Sequence, residues 1–296
     1  MASTHSSSHA EIFLQTLTPQ CREQKIEIII AHSGAHGGAH GGEDAVLAEL
    51  ARLHRATLLS FPAGTTLPRL WGAALARSTG EIIAVAETTC VPAADWVASI
   101  IAAHEASAPV IGGAVEPAGC DTLLDWAAFF CEYGQFLRPV SEGAVSELPG
   151  NNLSFKRWVM EVGPELVAPE FWKTYWCRRL RAAGIVLQST SSVAVYYRKS
   201  YRLWPFLARR FHHGRCFAGM RVARWSALRR AGYALGTLLL PLLFLARVVR
   251  AVAPKRRYLR QFILALPFSV LAMVSWSVGE CCGYLTGAGR SCGHVR

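Results

Sequence analysis

Two uncharged apolar runs, residues 231–246 (AGYALGTLLLPLLFLA) and 262–279 (FILALPFSVLAMVSWSVG), constrain this chain more than any other feature. They lie in its most basic part: residues 198–296 carry 18 Lys and Arg against one acid, Glu280, while residues 1–197 carry 13 against 19. A helix packed in a water-soluble protein keeps a polar face, and neither run offers a charge on any face, which points to lipid as the surrounding solvent. Crossing ~30 Å of hydrocarbon takes about 20 residues. The first run, of 16 residues, is short for that task and the second, of 18, is marginal. A basic, Leu-rich and aromatic segment with a single acid fits anionic membrane lipid and not nucleic acid.

The flanks of the runs set the topology. Residues 199–230 hold Trp204, Phe206, Leu207, Phe211, Phe217 and Trp225 among nine Lys and Arg, a pattern that predicts a basic amphipathic helix region in the headgroup plane. Within it, His212 and His213 beside Arg209, Arg210 and Arg215 belong either to that basic face or to a lipid-phosphate site. Residues 247–260 (RVVRAVAPKRRYLR) carry six basic residues and should stay cytoplasmic, as should the equally basic segment before the first run. Either the hairpin of residues 231–286 spans and one basic flank is translocated, or the helices lie shallow and re-entrant, kinked at Pro241 and Pro267. The shallow form is preferred for the first run. Residues 287–296 form a short tail.

The front of the chain reads differently. Residues 1–24 are polar, lack the basic and apolar regions of a secretory signal, and are expected to be flexible. Apolar runs at 25–31, 56–61, 81–86 and 108–115 read as strands, alternating with helices that begin near Glu43 and at Leu67 and Trp96. Strand–helix alternation predicts a mostly parallel sheet flanked by helices. Asp95 is expected to cap the helix that begins at Trp96. Residues 122–136 form an aromatic helix. In residues 148–157 (LPGNNLSFKR), Pro149 and Gly150 force a turn, and two adjacent amides precede a helix-forming stretch. Residues 170–183 form an amphipathic helix ended by Gly184, and two last strands follow, up to Tyr197. The insert AHSGAHGGAHGGED spaces His32, His36 and His40 four apart, but five glycines in fourteen residues oppose a helix, so it reads as a loop before it reads as a metal face. The nine cysteines are scattered with no CxxC pair and read as free thiols. Cys90 is one of them, with no histidine close by in sequence.

An acid at the carboxyl end of a buried strand is where open α/β sheets place ligand chemistry, and here that acid is Glu87. The order LPRLWGAALARSTGEIIAVAE, CVPAADWV, VIGGAVEP, LPGNNLSFKR and RRLRAAGIVLQ, spread over roughly residues 25–197, resembles the family-2 glycosyltransferases, which have the GT-A fold. The resemblance implies a GT-A-like domain at 25–198 that moves a sugar, of hexosyl type, from a nucleotide sugar to a lipid-linked or cell-envelope acceptor. It implies the cytoplasmic membrane, with the catalytic domain facing the cytoplasm. It also implies an acidic DxD-like motif that binds a divalent cation, Mn2+ or Mg2+, and the donor diphosphate at Glu87; a segment at Gly150, Asn151 and Asn152 beside the donor sugar or acceptor; and an acidic base near Glu170 and Lys173.

The sequence departs from each acidic expectation. The last acid of the DxD-like motif falls on Thr89, whose neutral hydroxyl is the weaker metal ligand. The base position falls on Trp172 or Lys173, with Glu170 nearly a turn away. The loop SFPAGTT supplies hydroxyls where an acid is usual. Three readings remain open: Lys173 replaces the cation's charge at the diphosphate, with Glu87 or Glu170 as base; the fold survives as a catalytically impaired membrane scaffold; or Glu87, diphosphate oxygens and water hold the metal.

Overall fold

The computed structural model describes residues 2–3, 7–21, 25–34, 41–106, 108–222 and 225–294, so His36 and His40 lie outside the described residues. The chain divides into two units, Met1–Ala118 with Phe136–Arg198, and Gly119–Gln135 with Lys199–Arg296. In chain order the elements are β1 (Ala2–Ser3), α1 (Ser7–Leu17), β2 (Ile29–Ser33), α2 (Gly41–Leu53), β3 (Thr57–Phe61), α3 (Leu67–Arg77), β4 (Ile82–Ala86), β5 (Cys90–Pro92), α4 (Trp96–Glu105), β6 (Val110–Pro117), α5 (Leu123–Tyr133), β7 (Gly143–Val145), β8 (Asn152–Lys156), α6 (Lys173–Ala182), β9 (Leu187–Tyr197), α7 (Leu203–Gly219), α8 (Ala227–Gly236), α9 (Leu240–Val252) and α10 (Leu259–Thr286).

The first unit is mixed α/β, and its sheets correct the expectation of a mostly parallel one. A three-stranded parallel sheet runs β1-β2-β3, and a six-stranded sheet runs β4-β8-β6-β9-β5 with β7 on β9. In the larger sheet β6 and β9 are parallel, whereas β4/β8, β6/β8, β5/β9 and β7/β9 are antiparallel. The reason is β8. The stretch after the two amides, expected to start a helix, instead enters between β4 and β6 antiparallel to both, burying Leu153 and Phe155. Residues 187–197, expected as two strands, form one strand whose register against β6 shifts between Gly113 and Ala114.

The core behind this sheet is aromatic. Phe155 and Phe171 pack edge-on against Trp176, with centroids 4.8 and 5.3 Å apart, over Leu70, Val85, Leu153 and Leu180. Each such fully buried side chain contributes roughly 1.5–3 kcal/mol. The amphipathic stripe of α6 thus faces inward as its spacing predicts, and Gly184, at φ +80°, ends the helix in the left-handed region. Asp95 takes the N-cap position of α4 without a side-chain capping bond. The segment expected to be flexible contributes α1, which buries Ala10, Phe13, Leu14 and Leu17, an apolar spacing that its polar neighbours mask in a linear reading.

The second unit holds α5 and α7 to α10. Residues 119–135, expected inside the 25–198 domain, group here because Trp126 and Phe130 pack on Tyr258 and Phe262, with centroids 4.9 and 5.1 Å apart. Helices α7 and α10 meet through glycines: a methyl group at Gly279 would run into the Phe211 carbonyl, and one at Gly214 into that of Trp276. Small residues that let backbones touch are the usual means by which apolar helices associate. Several arginines expected to face lipid are satisfied internally. Arg230 donates to the Tyr284 and Leu285 carbonyls at the end of α10, at 2.7 and 2.8 Å, and Arg209 pairs with Glu132 at 2.7 Å. Cys216 and Cys292 form a disulfide across 76 positions, which corrects the reading of nine free thiols; the long return through α10 brings them together. The segments Ala227–Lys255 and Leu259–Thr286 are helical over 29 and 28 residues, long and apolar enough to cross a membrane, and the helices outrun the uncharged runs inside them. Leu228, Leu238 and Leu242 are 84, 75 and 66% exposed, an apolar face with no protein cover.

Candidate functional site

The site forms where β4 and β8 end together. Their antiparallel register pairs Ala86 with Asn152, so Glu87, one residue beyond, and Asn151, one residue before, share the same end. Glu87 opens a tight turn: the Cys90 amide donates to the Glu87 carbonyl at 3.0 Å, and Thr89 Oγ1 donates to Glu87 Oε2 at 3.3 Å. The position expected to carry a second acid therefore carries a hydroxyl that buttresses the first.

The two asparagines do different work. Asn152 is engaged inside the protein: its Oδ1 accepts from Trp96 Nε1 at 2.9 Å, and its Nδ2 donates to the carbonyls of Ala114 and Val193 at 2.9 and 3.1 Å. It bridges β8, β6, β9 and α4 across the register shift, and only glycine fits at 113 because any side chain there would collide with the Val193 carbonyl and with that amide. Asn151 donates from Nδ2 to Cys90 Sγ at 2.9 Å, and its Oδ1 is buried without a partner.

Lys173 opens α6 and reaches back beneath the turn. Its Nζ donates to the Leu148 carbonyl at 2.7 Å and lies 3.8 Å from Glu147 Oε1, while its stem lies against Gly150. Trp71 lies on the same side of Gly150. Glu170 accepts from the indole of Trp172 at 3.1 Å, one residue after Pro169, which lies against α3 at Gly72. The structure thus brings Glu87, Thr89 and Asn151 into one cluster with Gly150 and Lys173 adjoining it, turns Asn152 into the scaffold, and holds Glu170 on the α3 side. Near Lys173, burial pushes the Cys177 thiol up to about 11, so it stays protonated and inert.

Three buried polar atoms beside this cluster have no partner: Thr88 Oγ1, Asn151 Oδ1 and Trp71 Nε1. An unsatisfied buried group costs about 1–3 kcal/mol, and such groups gather where a ligand supplies the missing bond. Neither Thr88 nor Trp71 stood out in the sequence, because an orphaned atom is a property of the packed neighbourhood. Among the described residues no three of His, Cys, Asp and Glu group to hold a metal ion. One carboxylate is enough for Mg2+ or Mn2+ when substrate phosphates complete the shell, so Glu87 fits a cation that arrives shared with a diphosphate.

No protein-family profile and no curated protein matches the chain. Solved structures do. The mannosyltransferase PcManGT from Pyrobaculum calidifontis, solved with GDP-Man and Mn2+, is 16% identical, with 94% of this chain and 85% of that chain covered and a TM-score of 0.53. S. aureus TarS 1-349 is 11% identical, with 95% and 89% covered and a TM-score of 0.47. The chain shares the fold of that mannosyltransferase.

Proposed function

We propose that this protein transfers a sugar, of hexosyl type, from a nucleotide-sugar donor to a lipid-linked or cell-envelope acceptor at the cytoplasmic membrane, as a GT-A transferase of the family-2 kind. The observation that carries the reading is the placement of Glu87 and the orphaned Asn151 carbonyl at the same end of β4 and β8, in a fold shared with a mannosyltransferase. In this reading Glu87 faces the donor diphosphate, and Glu87 would hold a shared Mn2+ or Mg2+ whose charge offsets that of the leaving nucleoside diphosphate. Asn151 Oδ1 accepts a hydroxyl of the sugar. Lys173 positions the Gly150 turn and adds positive potential behind it. The acceptor oxygen bonds to the anomeric carbon as the bond from that carbon to phosphate breaks, and the acceptor proton passes to Glu170 or Glu87. The exposed leucine face of α8 and α9 supports the membrane, and the basic residues at 247–260 support a cytoplasmic orientation.

Nucleoside diphosphate release by the purified full chain, across a panel of UDP and GDP sugars with and without Mn2+, tests this. A second reading, a catalytically impaired membrane scaffold, is favoured by one observation: the Lys173 ammonium, which was to stand in for the missing charge, is already bonded to Leu148. Donor binding without turnover in every combination would select the scaffold.

A further inference from the structure

A cavity of about 200 Å³ opens beside the Glu87 turn, lined by Ser8, His9, Ile12, Thr88, Val91 and Arg198. It adjoins the cluster above through Thr88, which lines it, while Glu87 and Thr89, bonded to each other, do not. The Arg198 amide donates to the Thr89 carbonyl at 2.7 Å, which ties the backbone just after β9 to the turn. Ser8 and His9 belong to the first turn of α1, an eleven-residue helix with no acid in that turn, so the positive end of its dipole lies at the cavity.

The lining is one-sided in its chemistry. It has one guanidinium, one imidazole, two hydroxyls and no carboxylate, with Ile12 and Val91 as the apolar wall. Thr88 supplies the independent sign of a ligand: it is 1% exposed, and its Oγ1 has no hydrogen-bond partner although the residue borders open space. A hydroxyl, an arginine and a helix N-terminus around a volume of several waters match a tetrahedral oxyanion. We infer that this cavity is a phosphate site, with the Thr88 hydroxyl and the Arg198 guanidinium as its donors and α1 supplying the favourable potential. The phosphate belongs either to the acceptor or to the donor's diphosphate. Naming those two sources rests on the proposed transferase reading, whereas binding of phosphate itself does not.

The experiment is titration of the full-length protein with inorganic phosphate, followed by calorimetry, for wild type, Arg198→Gln, Thr88→Val and the conservative Arg198→Lys. Saturable binding is expected, weakened roughly tenfold in Arg198→Gln and Thr88→Val by loss of one donor each, and largely restored in Arg198→Lys. Competition assigns the source. Displacement of phosphate by GDP or UDP assigns the site to the donor, and displacement by a polyprenyl phosphate with nucleotide still bound assigns it to the acceptor. Absence of saturable binding, or equal affinity in all four proteins with intact circular dichroism, overturns the assignment. Phosphate binding without sugar transfer keeps the site and removes the transferase.

Discussion

Asn151 and Cys90 are joined across the site: the asparagine Nδ2 donates to the cysteine Sγ at 2.9 Å, and this bond leaves the asparagine carbonyl buried and unpaired. The adjacent Asn152 spends its amide on Trp96, Ala114 and Val193. Neighbours of one type thus differ, one with an unmet acceptor and one bonded on both sides of its amide, and substitution separates them. Asn151→Ala should weaken donor affinity about tenfold with little change in melting temperature, since it also removes an unsatisfied acceptor. Asn152→Ala should destabilise by about 2–4 kcal/mol, because the indole and two carbonyls lose partners. Thermal unfolding and nucleotide titration of both variants check this.

Glu87→Gln keeps shape and removes charge. Turnover should fall about a hundredfold or more if the carboxylate stabilises charge at the reacting centre. The dependence on Mn2+ concentration should flatten as well, which initial rates over a metal titration would record.

Lys173→Met keeps the stem against Gly150 and loses the bond to Leu148. The turn loosens, at a cost of about 1–3 kcal/mol for the carbonyl left behind. Donor affinity should drop while the Mn2+ dependence stays unchanged; a shift in metal dependence would instead place the ammonium at the diphosphate.

Gly279→Val forces apart the α7 and α10 backbones, where a Cβ already collides with the Phe211 carbonyl. Overpacking of this kind costs about 1–3 kcal/mol or more. Gly232→Ala, inside α8 with nothing near its Cβ, is the control and should melt no lower than wild type in the same detergent.

Acid should unfold the second unit. Burial first, then Arg209 and Arg210, push His213 down to about 3, so the folded chain refuses a proton that the unfolded chain accepts below pH 6.5. Stability therefore falls as the pH drops from 6.5 toward 3. Burial alone would raise the Glu132 carboxyl, but Arg209 and Arg210 outweigh it and hold it below its usual 4.5, so its contribution is lost at still lower pH, in the same direction. His213→Phe should flatten the upper part of a melting-temperature profile against pH and leave the lower part.

The linear order of residues determined the strands and helices from β2 to β6, the inward stripe of α6 and the apolar character of the two C-terminal runs, because periodicity, charge and turn residues act over neighbours in the chain. Only the folded molecule decided the rest. The direction of β8, the division of labour between Asn151 and Asn152, the anchoring of Lys173 on Leu148 and the Cys216–Cys292 disulfide all depend on partners far apart in sequence. A side chain's type sets which bonds it is able to make, and packing sets which of them remain to be made.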